Sequence, residues 1–255
     1  MSEYSRILTC SKVLERKSVF LFGPRQTGKS TLLKTLYPSA LYIDLLLSNI
    51  FSSLQKNPEL LRKQVEHFLL QPLSTVVIID EIQKIPALLD EVHALIEKHK
   101  ALRFILTGSS SRKLRKAGTN LLGGRASLLE LFPLVFAEIK LIKDRFDLPQ
   151  ILNRGMLPAI YSSSAAYEDL IDYAGLYLRD EIKQEGYVRN LTAFAEFLHL
   201  AALSNTEQIN FASFARDAQV SMVTIKEYFQ ILEDTLIGTQ VRSFRHTEKR
   251  KAMTA

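Results

Sequence analysis

Short apolar runs alternate with segments of helical period through the first half of the chain. Val19–Phe22, Leu41–Asp44, Thr75–Asp80 and Arg103–Thr107 are rich in β-branched or aromatic residues, and each closes on Gly, Asp or Thr. Such uninterrupted apolar runs predict strands buried on both faces of a parallel sheet. Between them, Leu60/Val65/Phe68/Leu69 and Leu88/Val92/Leu95/Ile96 recur near a 3.6-residue spacing, which predicts crossover helices with one buried stripe. A further run, Ala126–Leu131, is ambiguous and is taken as a fifth strand.

Beyond Pro133 the period becomes helical. Ala165 to Gly186 contains no proline and predicts one long helix ended by glycine, and Leu191 to Leu203 predicts another. The fold class expected is α/β, a P-loop parallel sheet followed by a helical region. The expected boundaries are a core over 1–140, a helical connector over 141–190, a winged-helix-like part over 191–245 and a basic tail over 246–255. The chain change is centred on Lys140 to Asn153.

Composition narrows the class. The 255 residues are 47% hydrophobic and 24% charged, which excludes disordered and collagen-like chains. The single Cys10 closes no intrachain disulfide, and five scattered histidines give no zinc spacing. No apolar run reaches the roughly 18–20 residues of a membrane span, and no apolar signal segment opens the chain. The expectation is a cytoplasmic protein with no membrane partner. A net charge of +6 favours polyanionic partners without requiring them.

Candidate chemistry begins directly after the first strand. Gly23-Pro24-Arg25-Gln26-Thr27-Gly28-Lys29-Ser30 fits G-x-x-x-x-G-K-[ST] between a strand and a helix. The eight-residue pattern arises by chance in about one chain of this length in a hundred, and the strand and helix around it make chance a poor account. The glycines let backbone N–H groups curl around a phosphate, and the helix start at Ser30 and Thr31 turns its partial positive charge toward it. Lys29 is expected on the β/γ oxygens and Ser30 on a magnesium ion.

Val76-Val77-Ile78-Ile79-Asp80-Glu81 brings two adjacent carboxylates to a strand's carboxyl end, where open α/β sheets bind ligands. Asp80 is expected to hold magnesium, and Glu81 to take a proton from the water attacking the γ-phosphate. Arg103-Phe104-Ile105-Leu106-Thr107-Gly108-Ser109 ends another strand in hydroxyls. Thr107 is the first candidate to orient that water and Ser109 the second, with an ordinary turn as the rival reading.

In this order and spacing, the phosphate loop, the Asp-Glu strand and the hydroxyl-ending strand resemble the AAA-type P-loop ATPases. The chain more specifically resembles the prokaryotic AAA ATPases that carry a C-terminal domain of unknown function. That likeness rests on Gly23-Pro24-Arg25-Gln26, Asp80-Glu81-Ile82-Gln83, Leu106-Thr107-Gly108-Ser109, Leu122-Gly123-Gly124-Arg125, Leu129-Glu130-Leu131-Phe132-Pro133-Leu134, Gly155-Met156-Leu157-Pro158 and Tyr177-Leu178-Arg179-Asp180. It implies ATP and Mg2+ as ligands, hydrolysis driving conformational change, and a homo-oligomer completed around nucleotide. An arginine supplied to the γ-phosphate is also implied. Arg125 best matches that arginine, Arg112 is second, and a structural ion pair is the alternative. Members of that family continue into a restriction-endonuclease-like region, so the chain is expected to be truncated before it.

In the last third, Phe211/Phe214/Ala215/Ala218 and Met222/Ile225/Phe229/Leu232 give two apolar stripes on either side of Gln219-Val220-Ser221. With Ser221 as N-cap and Leu236–Val241 as the wing, they predict a winged helix whose reading face is Thr224, Lys226 and Gln230. A nucleotide-switched DNA-binding regulator is therefore the alternative function, aided by the basic tail Arg242 to Lys251. Against it stands a plain helical packing module, since Glu227, Glu233 and Asp234 share that helix with its one lysine.

Overall fold

The computed structural model describes residues 4–71, 74–109, 114, 122–141, 147–177, 182 and 188–242. They form two compact units, Met1–Ala166 and Tyr167–Ala255.

In the first unit, β1 (Ser18–Phe22), β2 (Leu41–Asp44), β3 (Val76–Asp80), β4 (Arg103–Gly108) and β5 (Ala126–Glu130) make one sheet in the order β2-β3-β4-β1-β5. Every neighbouring pair is parallel. The three central strands are the apolar runs of the sequence. Val19, Leu21, Val77, Ile78, Ile79, Phe104, Ile105 and Leu106 are wholly buried. β1 also takes in Ser18, a buried polar residue made tolerable because its hydroxyl accepts from the N–H of Phe104 at 3.0 Å. The ambiguous run is a strand, placed as the partner of β1 at the sheet edge.

The connections are α1 (Ser11–Leu14), α2 (Lys29–Leu36), α3 (Ser48–Lys56), α4 (Leu60–Leu69) and α5 (Leu88–Lys98). Cys10, Leu14, Leu32 and Leu33 pack on Val19, Leu21, Ile78 and Ile105, one face of the sheet. The chain then adds α6 (Phe136–Lys140), α7 (Leu148–Arg154) and α8 (Pro158–Tyr161). These belong to the same unit because Leu134, Ile139, Ile151, Met156 and Tyr161 share a small core with Tyr4. The stretch expected as a connector over 141–190 is thus divided, its first part packing with the sheet unit.

The second unit holds α9 (Ala166–Leu176, which begins at the junction), α10 (Leu191–Leu203), α11 (Phe211–Asp217) and α12 (Met222–Asp234). Of the continuation of α9 toward Gly186, Tyr177 and Ile182 are helical and buried in this unit's core, and Leu178-Arg179-Asp180 lie outside the described residues. The core of this unit is aromatic. Phe197 meets Phe229 edge-on at 4.9 Å between centroids, and Phe194 meets Tyr228 in the same way at 4.9 Å. Asn190, Asn210 and Ser221 cap the helices, their side chains accepting from Ala193, Ala212 and Thr224 N–H groups at 3.0, 3.0 and 3.1 Å.

The wing expected from Leu236–Val241 is not formed: among the described residues, none after Asp234 is in a strand. The backbone there turns back on α12. The N–H groups of Leu236 and Ile237 bond the carbonyls of Glu233 and Leu232 at 3.1 and 3.0 Å, with Leu236 left-handed at φ 59. This is a Schellman closure, which uses on the helix end the donors that a strand would need for pairing.

Candidate nucleotide site

The parallel register brings the carboxyl ends of β1, β3 and β4 level: Phe22 pairs with Gly108, Leu21 with Thr107, and Ile79 with Leu106. The chain leaves β1 toward β2 and leaves its neighbour β4 in the opposite direction toward β5, so the crevice at their carboxyl ends is the position at which open α/β sheets bind ligands.

The loop from Gly23 to Gly28 is closed by its own contacts. A Cβ on Gly23 would collide with the carbonyl oxygen of Leu131, so only glycine fits beside the end of β5. Gly28 takes φ 87 as the N-cap of α2, and exposed Gln26 takes φ 62. Buried Thr27 donates its hydroxyl to the Pro24 carbonyl at 2.9 Å. Lys29, 7% exposed, donates to the carbonyls of Gly23 at 2.7 Å and Pro24 at 3.0 Å. Its ammonium therefore sits inside the loop's curl. Pro24 is buried and Arg25 half-buried, while Thr31 is an exposed first-turn residue of α2. By helix geometry, the first-turn amides of Ser30 and Thr31 point out of the helix end.

Asp80, 3% exposed, gathers hydroxyls from three elements. Ser30 Oγ donates to its Oδ2 at 2.6 Å, and Tyr42 donates to the same oxygen. Thr107 donates to Oδ1. Burial first, and then the hydrogen bond to Asp80, push the Tyr42 phenol above its usual range and keep it a donor. Thr107 also accepts from the N–H of Glu81 at 3.4 Å, so it joins the acidic pair directly. Ser109 is buried at the end of the same strand region.

Lys29, Ser30, Asp80, Glu81 and Thr107 are thus brought together, and Arg125 is not. Arg125 directly precedes β5, and its carbonyl accepts from Ser18 N–H at the amino end of β1. It stands across the sheet from the loop, paired with Glu97 at the end of α5. The structural ion pair is the contact this chain forms; five strand residues at about 3.3 Å each separate Arg125 from its own loop. Arg112 lies outside the described residues.

Three participants escaped the sequence reading. Tyr42 looked like an ordinary strand aromatic. Arg6 and Glu138 were not singled out, yet their side chains are 6% and 3% exposed and pair at 3.0 Å. Arg6 also donates to the Thr27 carbonyl of the loop at 2.6 Å and to the Phe132 carbonyl at 2.6 Å. Glu138 accepts from the N–H groups of Ile7 at 2.8 Å and Val135 at 3.1 Å. Nothing in either local sequence marks the pair, because the partners are 132 residues apart.

Residues 15–140 match the AAA domain family, and residues 145–255 match a family described as a domain of unknown function. Residues 15–140 are an AAA domain. The uncharacterized proteins Rv2008c of Mycobacterium tuberculosis and Mb2031c of Mycobacterium bovis are each 28% identical to it over 230 residues. That alignment takes in 88% of this chain and 49% of each relative, so the chain spans about half the length of the curated relatives it matches. Among solved structures, a STAND protein with a tetratricopeptide repeat sensor from Pyrococcus horikoshii aligns with 88% of this chain and 39% of its own, at 13% identity and a TM-score of 0.40. The replication initiator DnaA bound to AMPPCP and single-stranded DNA aligns over 88% and 85%, at 13% identity and a TM-score of 0.38.

In the AAA domain no helix among the described residues is long and apolar enough to cross a membrane. The second unit carries the remaining candidates. Lys226 and Gln230 are exposed on α12, whereas Thr224 is half-buried and bonded to Ser221 at the cap by 2.8 Å. Thr224 is therefore part of the helix start and is turned away from the other two. Lys226 lies 5.5 Å from the Phe211 ring centroid, and Gln230 donates to Asp234 at 3.2 Å. Of the basic tail only Arg242 falls within the described residues.

Proposed function

We propose that the AAA domain binds ATP with Mg2+ in the loop Gly23–Ser30 and hydrolyses the γ-phosphate, the released energy driving a conformational change. The carrying observation is the 2.6 Å contact between Ser30 Oγ and Asp80 Oδ2, which joins oxygens 50 residues apart at the mouth of the phosphate loop. An all-oxygen pair of this kind suits magnesium, which prefers a few protein oxygens beside phosphate and water. Ser30 and Asp80 are the residues that would hold it. When bound, Mg2+ neutralises charge on the phosphates and orients the transferring group.

Lys29 would exchange its two loop carbonyls for phosphate oxygens, and the amides of Ser30 and Thr31 would add donors at the positive end of α2. Glu81 takes the proton from the attacking water. Thr107 and Tyr42 keep Asp80 in one orientation, so its carboxylate is set before ligand arrives. Arg125 can serve only a neighbouring copy's site, which makes an assembly completed around nucleotide part of the same reading.

The test is steady-state phosphate release from ATP with magnesium, together with binding of a fluorescent ATP analogue. Lys29→Ala should abolish binding. Glu81→Gln should retain binding and lose about 10²–10⁴-fold in kcat, the usual contribution of a general base. Wild-type turnover in Glu81→Gln would sink the base assignment.

A further inference from the structure

Glu81 is held in an unfavourable backbone conformation. Its φ of 62 and ψ of 44 put a non-glycine residue in the left-handed region, where strain persists only if the surroundings impose it. Its side chain is also held: Oε2 accepts a hydrogen bond from Nε2 of Gln83, in the single 3-10 turn Ile82–Lys84 that follows.

Gln83 is 3% exposed, and its Oε1 is buried with no hydrogen-bond partner among the described residues. A buried acceptor left unpaired is unfavourable, and a leucine would fill the same space without one. Turning the amide over would set Oε1 against the Glu81 carboxylate, two acceptors facing each other. The glutamine is therefore oriented by Glu81, and the orphaned oxygen follows from that orientation.

Room for this arrangement comes from β4. Gln83 Oε1 lies over Gly108, where a Cβ would collide with that oxygen and stand 3.2 Å from both Gln83 Cδ and the Phe22 ring. Gly108 follows Thr107, whose hydroxyl accepts from Glu81 N–H at 3.4 Å. The end of one strand thus braces both the backbone and, through Gln83, the carboxylate of Glu81.

We propose that Gln83, seated over Gly108, is a positioning residue that fixes the Glu81 carboxylate for proton transfer from the attacking water. This rests on Glu81 being the general base. The alternative, that Gln83 only packs, predicts that an apolar residue of similar size would serve equally well.

The experiment uses the full chain with ATP and magnesium and compares wild type, Glu81→Gln, Gln83→Leu and Gly108→Ala. Phosphate release, binding of a fluorescent ATP analogue, the kcat–pH profile and thermal melting are recorded for each. Gln83→Leu should lose about tenfold to a hundredfold in kcat, the effect expected of a misplaced catalytic group, with KM for ATP within about twofold. Its acid limb should move to higher pH, because a donor to the ionised carboxylate is gone. Gly108→Ala, which displaces the amide while keeping it, should lose kcat in the same way, and it decides the matter if Gln83→Leu does not fold. Wild-type kcat and acid limb in the folded Gln83 and Gly108 variants, with Glu81→Gln inactive, would overturn the positioning role and spare the base. An active Glu81→Gln would overturn both.

Discussion

The two units bury different things. Among the described residues, the AAA domain unit buries Ser18, Thr27, Lys29, Asp80, Gln83, Thr107, Ser109 and Glu138, whereas the helical unit buries Thr235 alone of the polar set. The helical unit instead fills its core with Phe194, Phe197, Phe214, Tyr228 and Phe229. Burying a polar group is unfavourable unless a partner is waiting for it, so a unit that buries many has aimed them at one another or at a ligand. Lys29, Asp80, Thr107 and Gln83 crowd around one loop mouth. Thr235 donates to the Ile231 carbonyl at 2.8 Å, and its hydroxyl meets that of Tyr177 at 3.0 Å. Polar burial therefore gathers at the phosphate loop, and aromatic packing fills the helical unit.

This contrast is easiest to break through the aromatic core. Phe197 is fully buried and touches four other rings, so Phe197→Ala should destabilise the helical unit by about 3–5 kcal/mol. Calorimetry should show the loss while affinity for an ATP analogue stays within about twofold, as expected of two energetically independent units. Lost nucleotide binding would mean that the two units are one energetic unit.

A somewhat smaller effect should come from the pair beneath the loop. Arg6→Ala leaves the Glu138 carboxylate buried without its cation, which costs about 3 kcal/mol. Because Arg6 also holds the Thr27 carbonyl, nucleotide affinity should fall as well. Chemical denaturation combined with analogue binding separates the two losses, and unchanged affinity would make Arg6 a structural residue only.

The smallest effect concerns Cys10. Burial pushes its thiol up to about 11 from an ordinary value of 9.0. The unfolded thiol ionises first, so its contribution to stability is complete below pH 9.0 and is lost as pH rises to about 11. Melting temperature should fall across that window, and Cys10→Ala should flatten the fall. Thiol reagents at neutral pH should leave the folded chain unmodified; rapid modification would contradict the burial.

Legibility in the sequence followed the range of the interactions. β1, β3 and β4 could be read because a strand covered on both faces needs an uninterrupted apolar run. The loop was readable because phosphate binding needs glycines, a lysine and a hydroxyl at fixed local spacing. α3 (Ser48–Lys56) was not read, although Ile50, Phe51 and Leu54 stand at helical spacing and Leu54 is buried. Leu236–Val241 has strand-like composition but is in no strand, and its closure on Leu232 is a matter of backbone geometry.

The sequence by itself determined the strands, the phosphate loop, the acidic pair and the cap at Ser221, all of which depend on neighbours a few residues apart. Tertiary structure decided which charges are buried and which side chains meet. Arg6 finds Glu138, Tyr42 finds Asp80, and Arg125 is carried to the far end of the sheet. Those outcomes depend on strand order and parallel register, which bring together positions that no local pattern links.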